Sequence, residues 1–260
     1  MTLLVVEGLT KRFGGVAAAK DVSFTLEAGE MLAIIGPNGA GKSTTFNMVG
    51  GQLKPDSGTI TLDGRSIAGL PARAIWKAGV GRTFQVAQTF VSMTVAENVQ
   101  MALLSHHGRS RGLFRDASAL YRDEALSLLA GVGMRADAER PVSELAYGDV
   151  KRVELAVALA SHPKLLLMDE PTAGMAPRER SSLMALTAEV ARTRGIGVLY
   201  TEHDMEAVFA HADRVLVLVR GEIIAAGTPE EIRANPRVKQ VYLGEAGTEA
   251  AMRARRKAVA

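Results

Sequence analysis

The sequence predicts an α/β fold with an antiparallel β subdomain near its start and an α-helical subdomain inserted in its middle. Short apolar runs that end in glycine or in polar residues are typical of buried strands. They occur at residues 31–35, 165–168 and 197–201. Apolar runs and alternation within residues 1–35 predict antiparallel strands there. From about residue 92 to 160, strand signals nearly vanish and apolar residues recur at helical spacing.

Composition limits the class of protein. The 260 residues, 47% of them hydrophobic, are enough for one large domain with a subdomain and a sizeable core. The absence of cysteine excludes disulfides, thiolate metal sites and cysteine nucleophiles. No apolar run reaches the ~18 residues of a membrane span, and the start lacks a signal-peptide pattern, so we expect a soluble, cytoplasmic chain. A net charge of +3, part of it in the tail, argues against a nucleic-acid partner.

The nine residues after the first apolar run fit G-x-x-x-x-G-K-[ST], the Walker A phosphate-binding loop. They are Gly36, Pro37, Asn38, Gly39, Ala40, Gly41, Lys42, Ser43 and Thr44. The glycines allow a tight turn that points backbone N–H groups at a phosphate, and the following helix adds its positive end. Lys42 supplies charge for the β- and γ-phosphates, and the Ser43 hydroxyl is a ligand for Mg²⁺. The sequence therefore predicts a site for a nucleoside triphosphate.

Two later strands end in groups that suit phosphate chemistry. The run 165–168 leads into Asp169 and Glu170, the Walker B pattern. Asp169 is placed to reach Mg²⁺ near Ser43, and Glu170 to orient or deprotonate the attacking water. The run 197–201 leads to His203, which lies at the sheet edge where ligands of open α/β sheets bind. The sequence thus predicts a site that binds a nucleoside triphosphate and can hydrolyse it, and the Walker pair alone leaves kinases, GTPases and helicases open.

For aromatic and histidine side chains outside these strands, the neighbouring residues predict whether each side chain is buried or exposed. Phe13 precedes two glycines, which leaves open a core position or an exposed ring that lies on a purine. The nearby phosphate loop favours the exposed ring. Residues 105–115 are polar and basic, which predicts a surface loop in which His106 and His107 are solvated, since neither has a partner at metal spacing.

The C-terminal part closes the fold. Residues 214–220 and 222–226 are typical of two joined strands, and the capping box at 228–231 predicts a short helix. Residues 244–260 are rich in alanine and arginine, and we expect a basic, solvated and mobile tail there.

The segment 145–152, Leu-Ala-Tyr-Gly-Asp-Val-Lys-Arg, resembles the signature motif of ATP-binding cassette (ABC) proteins, usually written L-S-G-G-Q. With Gln85 and His203 at matching places, every cassette motif is present in order within residues 1–243. The resemblance implies a P-loop NTPase core (RecA-like), with the helical subdomain at about 92–160. It also implies ATP hydrolysis with Mg²⁺.

The resemblance further implies roles for individual residues. Cassettes of this kind pair head to tail and enclose two ATP molecules, each between one Walker A loop and the other subunit's signature. Phe13 then stacks on adenine, Gln85 contacts Mg²⁺ and the membrane partner, and His203 holds the γ-phosphate. The signature residues face the ATP of the partner subunit. They are Ala146, Tyr147, Gly148 and Asp149. The sequence at 150–161 predicts the helix that follows, with its N-terminus toward phosphate.

This chain departs from the family pattern at three positions. Ala146 stands where the signature usually has serine, and Asp149 where it has glutamine. Ala176 stands where the D-loop usually has aspartate. These changes put in doubt the strength of the site that this chain's signature completes, and they leave Lys42 and Glu170 intact.

Several stretches resemble the LivG-type ATPases of branched-chain amino acid importers. They are 82–85 (Arg-Thr-Phe-Gln), 93–99, the Ala-Tyr-Gly of the signature, 173–175 and 228–244. Lipopolysaccharide-export ATPases, which share the ending at 241–245, are the alternative, and soluble ABC ATPases are another. The resemblance implies permease subunits, a second and related cassette, and indirectly a substrate-binding protein. It places the chain at the cytoplasmic face of the membrane, and the transported solute is chosen by other chains.

Overall fold

The structure is a computed structural model, and it describes residues 2–83, 89–108 and 120–241. Within these ranges the strands form two sheets. The strands are β1 (Thr2–Phe13), β2 (Val16–Glu27), β3 (Met31–Ile35), β4 (Ser57–Leu62), β5 (Arg65–Ser66), β6 (Val80–Thr83), β7 (Leu165–Asp169), β8 (Gly197–Thr201), β9 (Arg214–Val219) and β10 (Glu222–Gly227). The α-helices are α1 (Lys42–Val49), α2 (Ala72–Lys77), α3 (Val95–His106), α4 (Arg122–Gly131), α5 (Tyr147–Leu159), α6 (Pro177–Arg194), α7 (Met205–His211) and α8 (Pro229–Ala234).

The smaller sheet is antiparallel and has the order β2-β1-β4-β5. Strands β1 and β2 form a hairpin in which Phe13 lies opposite Val16, across the turn at Gly14 and Gly15. This sheet confirms the antiparallel β part that the alternation predicts near the start of the chain.

The larger sheet has the order β10-β9-β3-β8-β7-β6. Strands β9, β3, β8, β7 and β6 run parallel, and β10 joins antiparallel at the edge. The expectation that residues 1–35 are antiparallel throughout is wrong for β3, which pairs in parallel with β8 and β9. All five residues of β3 are buried, as expected for a strand covered on both faces.

Two apolar cores lie on opposite faces of the larger sheet. Alternate β3 residues supply them, because successive side chains of a strand point to opposite faces. Met31, Ala33 and Ile35 pack with residues of α3, α4, α5 and α6. Leu32 and Ile34 pack with the antiparallel sheet and with α1. The loop after β3 therefore leaves a strand that is held from both sides.

The described part of residues 92–160 contains α3, α4, α5 and two short 3-10 turns, and no β-strand. Thr94 and Glu97 form a capping box that starts α3. The loop predicted from Ser105 begins too early, because α3 continues through His106. Residues 109–119, part of the stretch with helical apolar spacing, lie outside the described ranges. The division into a helical subdomain and a tail from 244 remains a prediction.

The end of the described chain matches its predictions. Strands β9 and β10 pair antiparallel around Gly221. Thr228 and Glu231 form the capping box at the start of α8. Within the described residues, no helix has both the length and the apolar character that crossing a bilayer requires.

Candidate nucleotide site

The predicted phosphate loop joins the end of β3 to the start of α1. Gly36 has φ 151° and Gly41 has φ 102°, both positive. A Cβ atom on Gly36 would lie 2.1 Å from the Leu218 carbonyl oxygen, and one on Gly41 would lie 2.1 Å from the Ala18 carbonyl oxygen. Only glycine fits at either position, because both the backbone angle and the space exclude a side chain. The loop is thus held between β9 and β2.

Lys42 is the first residue of α1, and its amine lies inside the loop. The side chain is buried, and Nζ donates to the carbonyl oxygens of Gly36 at 2.6 Å and Pro37 at 3.2 Å. Among the described residues, no side chain caps this helix and no acid occupies its first turn. A helix N-terminus of this kind with a buried amine favours an anion. The other predicted members of the loop and first turn are Asn38, Gly39, Ala40, Ser43 and Thr44.

The two predicted carboxylates come after β7, two strands away from the loop. Asp169 ends β7, and its Oδ1 accepts a hydrogen bond of 2.7 Å from the Thr201 hydroxyl at the end of β8. Glu170 has φ 48°, a left-handed conformation that is sparsely populated without glycine and recurs at functional sites. Its N–H donates to the Thr201 carbonyl and hydroxyl oxygens, both at 3.1 Å. Thr201 therefore orients both residues.

His203 and Glu170 are in contact. Nε2 of His203 lies 2.8 Å from Oε1 of Glu170, and the imidazole is half exposed. An ionised carboxylate can only accept, so this contact suits the His203 tautomer that carries its proton on Nε2. The structure brings together, at one sheet edge, two residues that are 33 positions apart in the chain.

Arg82 also belongs to this site, although the sequence reasoning used it only for the family resemblance. It lies on β6 next to β7, and its Nη2 is 3.8 Å from Oδ2 of Asp169 and 3.0 Å from Oδ1 of Asn47. The guanidinium also lies 4.9 Å from the centre of the Phe46 ring. Burial lowers the pKa of Arg82, and Asp169 opposes that shift. A single arginine in a strand gives no sign in the sequence that a carboxylate of another strand lies beside it.

Phe13 is exposed, which contradicts the core position. It ends β1 at the tip of the hairpin, with 52% of its surface accessible. The returning strand β2 reaches the phosphate loop, since the Ala18 carbonyl lies against Gly41. Gly221, between β9 and β10, also contacts the loop, because its N–H donates to the Ala40 carbonyl at 2.8 Å. The ring therefore stands on a hairpin whose second strand touches the loop. This placement is compatible with stacking on a base.

The predicted signature residues lie at the start of α5. This helix is Tyr147–Leu159, so the prediction that it begins at Val150 is wrong by three residues. Ala146 is its N-cap and has no side-chain oxygen to cap it, while Asp149 lies in the first turn. Tyr147 is 46% exposed, and a Cβ on Gly148 would lie 3.3 Å from Cδ of Glu179 on α6. Gly148 therefore also serves the packing of α5 against α6.

Gln85 lies outside the described ranges, as do residues 242–260. Strand β6 ends at Thr83, two positions before Gln85 and next to the end of β7. The assignments made for Gln85 and for the tail stay predictions.

The candidate metal ligands of the site are oxygen atoms, which Mg²⁺ prefers. The Asp169 carboxylate and the exposed Ser43 hydroxyl are hard oxygen ligands, and within the described residues no cluster of three or more His, Cys, Asp or Glu forms a metal site without a substrate. This donor set fits a cation that is held partly by protein and partly by substrate phosphates.

The larger sheet, with a phosphate loop, an acidic strand end and a histidine at one edge, defines a P-loop nucleoside-triphosphate-binding protein. The family model described as ABC transporter matches residues 19–173, and a second, described as branched-chain amino acid ATP-binding cassette transporter, matches residues 222–248. The chain belongs to the ABC transporter ATP-binding family, whose members hydrolyse ATP.

Curated relatives cover nearly the whole chain. The high-affinity branched-chain amino acid transport ATP-binding protein LivG of Salmonella typhimurium is 44% identical over 253 residues, which cover 94% of this chain and 98% of LivG. The lipopolysaccharide export system ATP-binding protein LptB of Haemophilus influenzae is 37% identical over 246 residues, which cover 94% of this chain and 98% of LptB.

A solved structure has the same fold. It is the ADP conformation of an ATP-binding cassette of an ABC transporter, with a TM-score of 0.83 and 29% identity over 94% of this chain and 99% of that one. The fold prediction of a P-loop NTPase core is confirmed, and the chain is the ATP-binding subunit of an ABC transporter.

Proposed function

We propose that this chain binds ATP with Mg²⁺ and hydrolyses it to power import of branched-chain amino acids. The hydrolytic part of the proposal rests on the contact of 2.8 Å between His203 and Glu170, together with the Lys42 amine that lies inside its loop. The substrate rests on the likeness to LivG and on the family match at residues 222–248.

Each group has one task in this proposal. Lys42 leaves the Gly36 carbonyl and neutralises the β- and γ-phosphates, while the N–H groups of the loop and of α1 hold their oxygens. Ser43 and Asp169 hold Mg²⁺, with Gln85 as a further ligand, and the cation when bound neutralises phosphate charge. Phe13 stacks on the adenine.

Glu170 is the base. It orients a water molecule toward the γ-phosphorus and accepts its proton. His203 presents Nε2–H to a γ-phosphate oxygen in place of the Glu170 carboxylate, which releases that carboxylate for the water. The strained backbone at Glu170 is held by Thr201, and this fixes the position from which the Glu170 side chain extends.

The partners belong to the same proposal. We propose that the chain pairs with a second, related cassette and docks on permease subunits at the cytoplasmic face of the membrane, with a substrate-binding protein on the other side. In this assembly Ala146, Tyr147, Gly148 and Asp149 face the nucleotide of the second cassette. Closing the pair excludes water and completes each site.

Transport by the assembled complex tests the substrate. Where the neighbouring genes encode permeases, a second cassette and a binding protein, the chain is co-expressed with them and the complex is reconstituted in proteoliposomes. We expect ATP-dependent uptake of labelled leucine, isoleucine or valine, abolished by Glu170→Gln. Neighbouring genes for lipopolysaccharide export, with no uptake of these amino acids, would contradict the importer and support the export ATPase, to which LptB at 37% identity points.

A further inference from the structure

Glu202 is a buried carboxylate that lies outside both the phosphate loop and the signature. It lies between Thr201, the last residue of β8, and His203, and only 4% of its surface is exposed. A buried carboxylate loses its hydration and needs hydrogen bonds in compensation. The structure gives it three, all from neutral donors.

These hydrogen bonds tie together the two segments that carry Glu170 and His203. Oε1 of Glu202 accepts from the Thr172 backbone N–H at 3.0 Å and from the Thr172 hydroxyl at 2.6 Å. Oε2 accepts from the His203 N–H at 3.1 Å. One carboxylate therefore holds the turn two residues after Glu170 and the backbone of His203 itself.

A second link fastens the same two segments further out. Arg180, in the first turn of α6, donates through Nε to the Met175 carbonyl at 2.9 Å and pairs with Asp204. The turn after Glu170 is thus attached to the His203 segment from the inside by Glu202 and from the outside by Arg180. Only the inner link reaches the His203 backbone.

We infer that Glu202 is a positioning residue that keeps His203 and Glu170 in register, so that the histidine can alternate between the carboxylate and a γ-phosphate oxygen. The inference rests on the proposed roles of Glu170 and His203. Glu202 contacts no reacting atom and acts through His203. A buried anchor that merely stabilises the fold predicts lower stability with unchanged turnover per folded molecule.

The central variant is Glu202→Gln, which keeps the volume and one carbonyl oxygen. That oxygen still accepts from Thr172. The amide NH₂ then faces the His203 N–H, and because both groups are donors the hydrogen bond to His203 is lost. Losing a hydrogen bond to a charged group predicts a fall in kcat of about tenfold, with KM for ATP changed less than about threefold. Thr172→Val removes one of the three donors, and we expect a smaller fall in kcat.

The matched control is Glu30→Gln, immediately before β3, at the end of that strand opposite the phosphate loop. Glu30 is another mostly buried carboxylate that accepts a backbone N–H, from Glu27 at 2.7 Å, and it also pairs with Arg214 at 3.1 Å. It touches none of the proposed site residues, so its variant should keep kcat whatever it does to stability. Thermal unfolding of each variant gives the folded fraction used to correct the rates.

The deciding measurement is a double-mutant cycle in the assembled complex with the permeases and the second cassette, in which ATP turnover is assayed. If Glu202 acts through His203, Glu202→Gln lowers turnover tenfold in the unmodified chain and far less in the His203→Ala background. Equal effects in both backgrounds, or an effect that vanishes after correction for folded protein, would falsify the positioning role. If His203→Ala and Glu170→Gln both leave turnover unchanged, the proposed hydrolytic site itself is wrong.

Discussion

The starts of α1 and α5 are alike locally and differ in what surrounds them. Each is a helix N-terminus whose N-cap, Gly41 or Ala146, has no side-chain oxygen. Each therefore leaves backbone N–H groups for another acceptor. In the proposed function, both face a phosphate.

The surroundings separate the two helix ends. At α1, Lys42 is buried in a loop held by β9 and β2, and no acid occupies the first turn. At α5, Tyr147 and Ala146 are exposed and Asp149 sets a negative charge in the first turn. Asp149 stabilises the helix and repels a phosphate. The chain thus builds one anion site by itself and presents the other as half of a site.

The variant with the largest expected effect tests whether the site at the start of α1 is the one that hydrolyses ATP. Glu170→Gln removes the base and keeps its size, so turnover should fall at least ~10²-fold while ATP affinity is kept. Steady-state turnover of the assembled complex and equilibrium ATP binding measure the two quantities. Glu222→Gln, an exposed carboxylate on β10 paired with Lys20, is the control and should behave as the unmodified chain. Near-normal turnover of Glu170→Gln would assign the base elsewhere.

The second prediction concerns variants that give the start of α5 the residues usual in the signature motif. Ala146→Ser with Asp149→Gln restores a hydroxyl donor and removes a like charge, and a hydrogen bond to a charged group is worth ~1.5–3 kcal/mol. ATP-dependent self-association should strengthen roughly tenfold to hundredfold, most visibly with Glu170→Gln present. Sedimentation with and without Mg-ATP measures it.

The unmodified chain should sediment mostly as a monomer and hydrolyse ATP poorly alone. A tight homodimer of the unmodified chain, or no gain from the double substitution, would mean that Gly148 and the helix end already suffice. That outcome would strengthen the homodimeric, exporter-type alternative.

The third prediction concerns the base end of the α1 site. Phe13→Ala should weaken ATP and GTP alike by roughly 1–3 kcal/mol, the value of stacking a base on an aromatic side chain. Phe13→Tyr should be tolerated, and Val16→Ala, which changes an exposed side chain directly opposite in the hairpin, should have no effect. Fluorescence titration with labelled nucleotide measures the affinities. Unchanged binding by a folded Phe13→Ala chain would remove the stacking role.

The smallest effect calibrates what a capping oxygen is worth in this chain. Ala176 is the N-cap of α6 and lacks a side-chain oxygen, while Glu179 accepts its N–H at 3.3 Å. Ala176→Asp should stabilise the chain by about 1 kcal/mol, which raises Tm by about 2–4 °C. Ala176→Val, with no oxygen, should not raise it. A differential scanning calorimetry trace of each variant decides, and a lowered Tm for the aspartate would contradict the prediction.

The sequence predicts those parts of the site whose backbone conformation and chemistry are set by a few contiguous residues. The phosphate loop needs glycine at 36 and 41 and a lysine at 42, and these residues are contiguous. Asp169 at the end of β7 and His203 just after β8 are visible because an apolar run stops before each of them. The start of α5 was predicted three residues late, because Ala146 offers no capping side chain to mark it.

Contacts between distant segments had no such signal. His106 and His107 are both exposed, as the sequence predicts, but the sequence did not show their neighbours: the fold sets His106 against Trp76, His107 and His162, with ring centres 5.2 to 5.8 Å apart. Burial, then the charges of His107 and His162, lower the pKa of His106. These partners come from different elements.

The sequence by itself determined the phosphate loop, the acidic strand end and the class of protein, because backbone conformation and residue chemistry over a few positions fix them. The tertiary structure decided that β3 runs parallel between β9 and β8, that Arg82 stands beside Asp169, and that Glu202 joins Thr172 to His203. These follow from the order of strands in the sheet, which packing of both faces of β3 selects and which no local pattern encodes.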